Sequence, residues 1–211
     1  MAKQNINSKQ GFTIIEVVLV LAIAGLIFLM VFVALPALQR SQRDTARRND
    51  LSRVDTSLVQ YQTNNQSNTD GQLPKHGAWE GKKNFDASGC GDNSACQFVR
   101  QYMNSGSGNA TTNEFLDPSG EPYSVVITEN LKDNSSLTTI KAKTGAKNTL
   151  TGSKTAGYTV SDTTGSFDEH TVYIIPGAEC NGTKAVASTA SNHFAVLSRL
   201  EGAGVYCIDD Q

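Results

Sequence analysis

The stretch that decides the fold covers residues 11–35 and reads GFTIIEVVLVLAIAGLIFLMVFVAL. From Phe12 onward its only ionisable side chain is that of Glu16. A helix of about 24 residues, rising 1.5 Å per residue, is about 36 Å long and can cross the hydrocarbon core of a bilayer. A carboxylate in such a span costs roughly 2.5–3.5 kcal/mol at the bilayer centre and less near its surface. We therefore expect Glu16 to meet a positively charged partner.

The segment before this span is short and basic, with Lys3 and Lys9. An ordinary secretory signal is cleaved at small residues after its apolar region, whereas here the small residue Gly11 precedes the apolar region. Cleavage after Gly11 would keep the span and create an α-amino group on Phe12. No Lys or Arg lies between residues 12 and 35, so this amine is the natural partner of Glu16, in the same chain or in a neighbour.

Residues 9–11 (KQG) followed by residues 12–16 (FTIIE) resemble the leader junction of type IV pilins and of the pseudopilins of type II secretion and competence systems. The resemblance is close from about residue 9 to residue 38. It implies cleavage between Gly11 and Phe12 by a membrane prepilin peptidase, and N-methylation of Phe12. It also implies that Glu16 promotes docking of each subunit into a helical filament whose core is made of N-terminal helices.

The predicted fold class is α+β, a type IV pilin fold in which a long N-terminal helix packs on an antiparallel β-sheet domain. We divide the chain into a leader (1–11), a membrane-spanning and filament-core helix (12–35), an amphipathic continuation (36–64) and an extracytoplasmic globular domain (65–211). The continuation is indicated by the helical spacing of Leu51, Val54, Leu58 and Tyr61.

A break in the helix is expected near Gly25 or Pro36, because proline lacks a backbone donor and crowds the preceding turn. In the family a proline commonly follows the mid-span glycine by about two turns, and here the two residues are farther apart.

An arginine cluster directly after the span conflicts with the orientation that the resemblance implies. A count of basic residues on the two sides would place the C-terminal side in the cytoplasm. The leader and the cysteines favour the opposite orientation, which we adopt. We interpret the cluster as a lipid-facing or inter-subunit helical surface, with DNA contact as a minor alternative. Its members are Arg40, Arg43, Arg47 and Arg48.

Four cysteines, Cys90, Cys96, Cys180 and Cys207, fall in the domain predicted to be exported. An even number in such a domain favours two disulfides, for which three connectivities exist. We expect sequential pairing, in which Cys180–Cys207 would resemble the loop-closing C-terminal disulfide of many pilins. Zinc is disfavoured, because the histidines and cysteines lack metal-ligand spacing.

Periodicity and turn residues predict the elements of this domain. A short helix is expected over 94–103 with Asn93 or Ser94 as its N-cap, and residues 68–92 are interpreted as a loop anchored by Trp79 and Phe85. The turn DPSGEPY at 117–123 leads into a strand and resembles one in major pseudopilins and related Gram-positive pilins. Residues 143–157 are interpreted as an exposed loop or irregular hairpin tip. Strands are predicted at 123–128, 137–142, 158–161, 170–175, 193–199 and 205–208.

Composition and motifs indicate assembly and no catalysis. The net charge of −2 gives no basis for general nucleic-acid binding, and we identify no catalytic triad, phosphate loop, cofactor site or metal site. Calcium ligands were considered among Asp162, Asp168, Glu169, Asp209 and Asp210, and solvated acids are the preferred interpretation. Asn-x-Ser/Thr triplets start at Asn109, Asn134 and Asn181 and are a weak signal.

The sequence thus predicts a non-enzymatic pilus subunit that inserts in the inner membrane and then joins a surface filament for adhesion, motility or DNA uptake. Its partners would be copies of itself, the prepilin peptidase, an assembly platform and membrane lipid. The alternatives are a pseudopilin and, in another class, a single-pass membrane-anchored binding protein that keeps its leader.

Overall fold

The computed structural model describes residues 11–66, 73–82, 84–85, 89–104, 111–131, 148–162, 170–190, 192–202 and 204–210, with the backbone only for residues 148 and 162. The chain forms two compact units, Met1–Ser41 and Gln42–Gln211. The predicted strand at 137–142 lies outside the described residues.

Helix α1 covers Ile14–Asn64 and confirms the long N-terminal helix. Its first part is apolar on every side, and side chains such as Leu29 and Phe32 are mostly exposed. The helix continues through Gly25 and Pro36 without interruption, so the predicted break is absent from this structure. Proline removes one backbone bond, and the flanking turns keep theirs. Melting at these residues in a filament remains a prediction.

Within the second unit, α1 is amphipathic as predicted. Leu51, Val54 and Leu58, spaced by three and four residues, are at most 1 % exposed. They belong to a core that includes one face of the five-stranded sheet, represented by Val125 and Val172. Alternate residues of the same strands, such as Val126 and Tyr173, enter a second core. Because strand side chains alternate between faces, this sheet is covered on both sides.

Within the described ranges, nine strands form two sheets. They are β1 (Gly77–Trp79), β2 (Ser124–Ile127), β3 (Asn148–Ser153), β4 (Gly157–Asp162), β5 (Thr171–Pro176), β6 (Ala178–Asn181), β7 (Lys184–Ala187), β8 (Phe194–Arg199) and β9 (Val205–Asp209). The larger sheet has the order β1-β2-β5-β8-β9 and the smaller one β3-β4-β7-β6. All pairs are antiparallel except β2–β5, a parallel pair that the sequence analysis did not foresee.

The loop predictions need two corrections. Residues 148–153, expected to be loop or hairpin tip, form β3, whose Leu150 pairs with Val160 of β4. Residues 77–79, also expected to be loop, form β1 at the edge of the larger sheet. These strands are short or carry few apolar residues, so they leave little local pattern. Strands β6 and β7 were not predicted for the same reason.

The short helix is half as long as predicted. Helix α2 covers Ser94–Phe98, and Val99–Met103 form a π-helical turn closed by a bond from the Asn104 N–H to the Val99 carbonyl. The Asn104 side chain is held at the same time by the backbone of residues 112 and 114, which accounts for the wider turn. The predicted N-cap is confirmed, since the Asn93 carboxamide oxygen accepts the Cys96 N–H at 2.9 Å.

Candidate processing and assembly site

The residues at the predicted cleavage point lie in an open segment before α1. The Phe12 side chain is 88 % exposed. A Cβ atom added to Gly11 would meet no atom within 4 Å, and Gly11 does not adopt a positive φ. The described fold therefore gives no structural reason for a glycine at position 11.

Glu16 is hydrogen-bonded to Thr13 at the start of α1. The carboxylate oxygen Oε2 accepts bonds from the Thr13 N–H and from the Thr13 hydroxyl, each at 3.0 Å, and the Glu16 N–H donates to that hydroxyl at 3.4 Å. This is a capping box, in which Thr and Glu three residues apart satisfy each other's backbone donors. The sequence analysis missed Thr13, although Thr-x-x-Glu before an apolar run is the signal for this motif.

The capping box lies at the end of a helix suited to a membrane. Within the described residues, α1 contains the one span that passes length and hydropathy criteria, and none of that window is buried. An apolar N-terminal helix of this kind suits membrane anchoring of a precursor.

A cluster of charged side chains is centred on Arg47, in the part of α1 that belongs to the globular unit. Its guanidinium group is buried and contacts Asp117 at 3.1 Å, Asp44 at 3.2 Å and Glu201 at 3.4 Å. Arg43 forms a two-point contact with Glu201, at 2.6 and 2.7 Å. Asp44 accepts the N–H groups of Glu201 and of the next residue, at 2.8 and 2.9 Å.

These contacts correct the interpretation of the arginine cluster as a lipid-facing surface. Arg43 and Arg47 bind carboxylates of their own domain, and the Arg48 guanidinium lies 5.4 Å from the centre of the Tyr206 ring. Three of its four arginines are thus explained by contacts within the globular unit. Since their partners lie up to 158 residues away, local sequence could not reveal them.

The predicted turn at residues 117–123 is confirmed and holds one partner of Arg47. The Asp117 carboxylate accepts the N–H groups of Ser119 and Glu121, and Gly120 has a φ of +87°. Burial opposes ionisation of Asp117, but contacts from His170, Ser119 and Arg47 outweigh it and hold the pKa of Asp117 well below its usual range. The Arg43 contact lowers the pKa of Glu201 to about 2. Both carboxylates are therefore charged at neutral pH.

The cysteines form the two expected disulfides, Cys90–Cys96 and Cys180–Cys207. The second joins β6, at one edge of the smaller sheet, to β9, at one edge of the larger. Cross-links of this type suit a domain exposed to an oxidising compartment.

The remaining acids named by the sequence analysis are used by the fold or lie outside the described residues. Asp209 accepts the Cys180 N–H, and Asp210 accepts the Phe194 N–H. Asp168 and Glu169 lie outside the described ranges, as do Asn109 and Asn134. Among the residues with described positions, no group of three potential ligands could hold a metal ion.

Comparison with known proteins agrees with this geometry. Residues 6–32 match the family model of the prokaryotic N-terminal methylation motif, which covers the predicted cleavage point, the capping box and most of the apolar span. No curated protein and no solved structure is significantly similar to the chain. The chain therefore carries a prepilin-type leader and methylation segment, as type IV pilin-like proteins and pseudopilins do. The matched motif is not that of an enzyme class.

Proposed function

We propose that this protein is a structural subunit of a type IV pilus-like surface filament. A prepilin peptidase cleaves it between Gly11 and Phe12 and methylates the new amine, and subunits then polymerise through their N-terminal helices. The observation that carries the proposal is the position of a methylation motif (residues 6–32) at the start of an exposed apolar helix.

Polymerisation follows from the free energies of the exposed groups. The apolar surface of α1 needs lipid or other apolar helices as its neighbours, because burial of apolar surface contributes roughly 25 cal/mol per Å². Glu16 has hydrogen bonds from Thr13 but no countercharge among the residues that the structure describes. The Phe12 amine of a neighbouring subunit supplies that charge once the leader has been removed. Proteolysis thus creates the interaction that favours assembly.

Partners and location follow from the same steps. The precursor resides in the inner membrane with its disulfide-bonded domain outside the cytoplasm. The membrane peptidase and an assembly platform act on it, and copies of the subunit form the filament, which serves adhesion, motility or DNA uptake. The ion pairs of Arg43 and Arg47 support this orientation, because they give the arginines a use within the exported domain.

A second candidate is a pseudopilin of a secretion or competence system. The turn at residues 117–123 fits it as well, since its sequence resembles one found in major pseudopilins and in related Gram-positive pilins. Electron microscopy of the producing cells separates the two, because a pilus subunit gives long surface filaments and a pseudopilin gives short ones confined to the envelope.

The deciding experiment is N-terminal analysis of protein sheared from the surface of producing cells. We expect the chain to begin with N-methylated Phe12. A Gly11→Ala variant should remain unprocessed, while Gly25→Ala, a matched glycine variant within α1, should be processed normally. Surface protein that still begins with the leader overturns the proposal.

A further inference from the structure

We propose that Asn181 is an acceptor site for an N-linked glycan. The triplet Asn181-Gly182-Thr183 matches the Asn-x-Ser/Thr pattern, which marks a surface loop of an exported protein. The inference rests on the proposed function in one respect, because it requires this domain to lie outside the cytoplasm.

The structure places this triplet at an accessible hairpin tip. Strands β6 and β7 pair up to Asn181 and Lys184, so Gly182 and Thr183 form a two-residue turn. All four residues are exposed. A Cβ atom added to Gly182 would meet nothing within 4 Å, so there is open space around the tip for a transferase.

The fold itself does not explain why position 181 is asparagine. Gly182, with a φ of +65°, supplies the conformation that a type II′ hairpin turn needs at its first central position. No non-glycine residue in the described part of the chain has a positive φ. Asparagine tolerates the left-handed region better than most residues, but this property does not explain its presence at position 181. Within the same described ranges its carboxamide forms no hydrogen bond, and neither does the Thr183 hydroxyl.

A second triplet, whose asparagine lies in the described region, gives a contrast. Asn65 also begins an Asn-x-Ser sequence, but its carboxamide nitrogen donates to the Tyr61 carbonyl at 2.9 Å and closes the end of α1. The fold uses the side chain of Asn65 and leaves that of Asn181 available. The structure therefore selects Asn181 over Asn65, which the short motif alone cannot do.

The reaction that fits this site is transfer from a polyprenyl-diphosphate-linked oligosaccharide. A bond forms between Nδ2 of Asn181 and the anomeric carbon of the first sugar, and the bond from that carbon to the diphosphate oxygen breaks. The diphosphate leaves with the electron pair, and a base of the transferase takes one amide proton. No electrons are exchanged with an oxidant or reductant, so the step is complete with these reactants.

The test is mass spectrometry of the full chain purified from the membrane and surface of its producing cells. After reduction and alkylation, trypsin releases residues 155–184, in which Asn181 is the only asparagine. We expect this peptide to gain at least the mass of one sugar in most molecules, with fragments that place the sugar on Asn181. The peptide that contains Asn65 should remain unmodified.

Three variants test the acceptor chemistry. Asn181→Gln and Thr183→Ala should each abolish the modification, whereas Thr183→Ser, which keeps the hydroxyl, should retain it. Because the tip is exposed, all three should keep the Cys180–Cys207 disulfide and an unchanged Tm, which shows that loss of the sugar is not a folding defect.

Each outcome decides the inference. An unmodified peptide, or a gain of one mass unit from deamidation at Asn181-Gly182, overturns the glycan site. The N-terminus of the same sample shows whether the proposed function fails with it: a chain that begins at Phe12 with a bare Asn181 overturns the glycan site alone. Modification that persists in Thr183→Ala also overturns the site.

Discussion

Arg47 and Asp117, 70 residues apart, form an ion pair in which neither side chain is exposed to solvent. The pair joins α1 to the turn that precedes β2, and Asp44 and Glu201 extend it to the turn between β8 and β9. The charges are taken out of water but remain balanced and hydrogen-bonded, which is the condition under which a buried ion pair is tolerated.

We predict that Arg47→Met destabilises the globular unit by about 3–5 kcal/mol, because it leaves buried carboxylates without a countercharge. Chemical unfolding of the full chain in detergent, followed by near-ultraviolet circular dichroism, measures the loss. Arg47→Met combined with Asp117→Asn should recover part of it.

The matched control is Arg53→Met, since the Arg53 side chain is 57 % exposed and lies 3.8 Å from Asp50. Its effect should stay below about 1 kcal/mol. Equal losses for the two arginine variants would contradict a special contribution of Arg47.

The pKa of Asp55 is raised, whereas that of Asp117 is lowered. We therefore predict that the two carboxyl groups make stability depend on pH with opposite sign. The Oδ1 atom of Asp55 is buried and has no hydrogen-bond partner in the described structure. Burial, and then the charges of Asp210 and Asp209, raise the pKa of Asp55 to about 6. The folded state therefore binds a proton that the unfolded state releases near pH 4, so stability contributed by protonated Asp55 is lost as pH rises from about 4 to about 6.

Asp55→Asn should accordingly raise the free energy of unfolding at about pH 7. Because Asp55 is only partly buried, solvent screens its charge, and we expect a gain of about 1 kcal/mol. Near pH 4 the variant and the wild type should be equally stable. Unfolding measured at both pH values checks this, and a gain that is the same at both would exclude titration of Asp55 as its cause.

The two disulfides should differ in their contributions to stability. Cys180–Cys207 closes a sequence separation of 27 residues and Cys90–Cys96 one of 6. In the loop-entropy model these correspond to about 3.5 and about 2.2 kcal/mol. Paired Cys→Ala variants compared by denaturant unfolding test the order, and a larger loss for the Cys90–Cys96 variant would show that constraint of the unfolded chain is not the main effect.

Variants of Glu16 separate its two uses, capping and charge. Glu16→Ala should leave processed monomer in the membrane without filaments, because both are lost. Glu16→Gln keeps an oxygen that accepts the Thr13 bonds but has no charge, and it should also fail to form filaments if pairing with the Phe12 amine drives assembly. Sheared-filament yield and immunoblots of membranes measure the result. Normal filaments from Glu16→Gln would show that capping suffices.

The predictions from sequence succeeded where the signal was local. The leader motif, the apolar run, the 51–54–58 spacing on α1 and the turn at 117–123 each depend on neighbouring residues, and the motif match, the helix and the turn confirm them. The Thr13–Glu16 capping box is also a local signal, but the sequence analysis overlooked it. The strand positions of β2, β5 and β8 were also found, because apolar β-branched runs mark buried strands.

Sequence alone therefore determined the long helix, its apolar surface and the processing segment, because these follow from periodicity and from residues in contact along the chain. Only the tertiary structure decided the parallel pairing of β2 with β5, the second sheet and the partners of Arg43 and Arg47. These features depend on interactions between groups up to 158 residues apart. Such interactions stabilise the protein only after folding has brought the groups together and excluded water from between them. No local pattern of residues records that contribution.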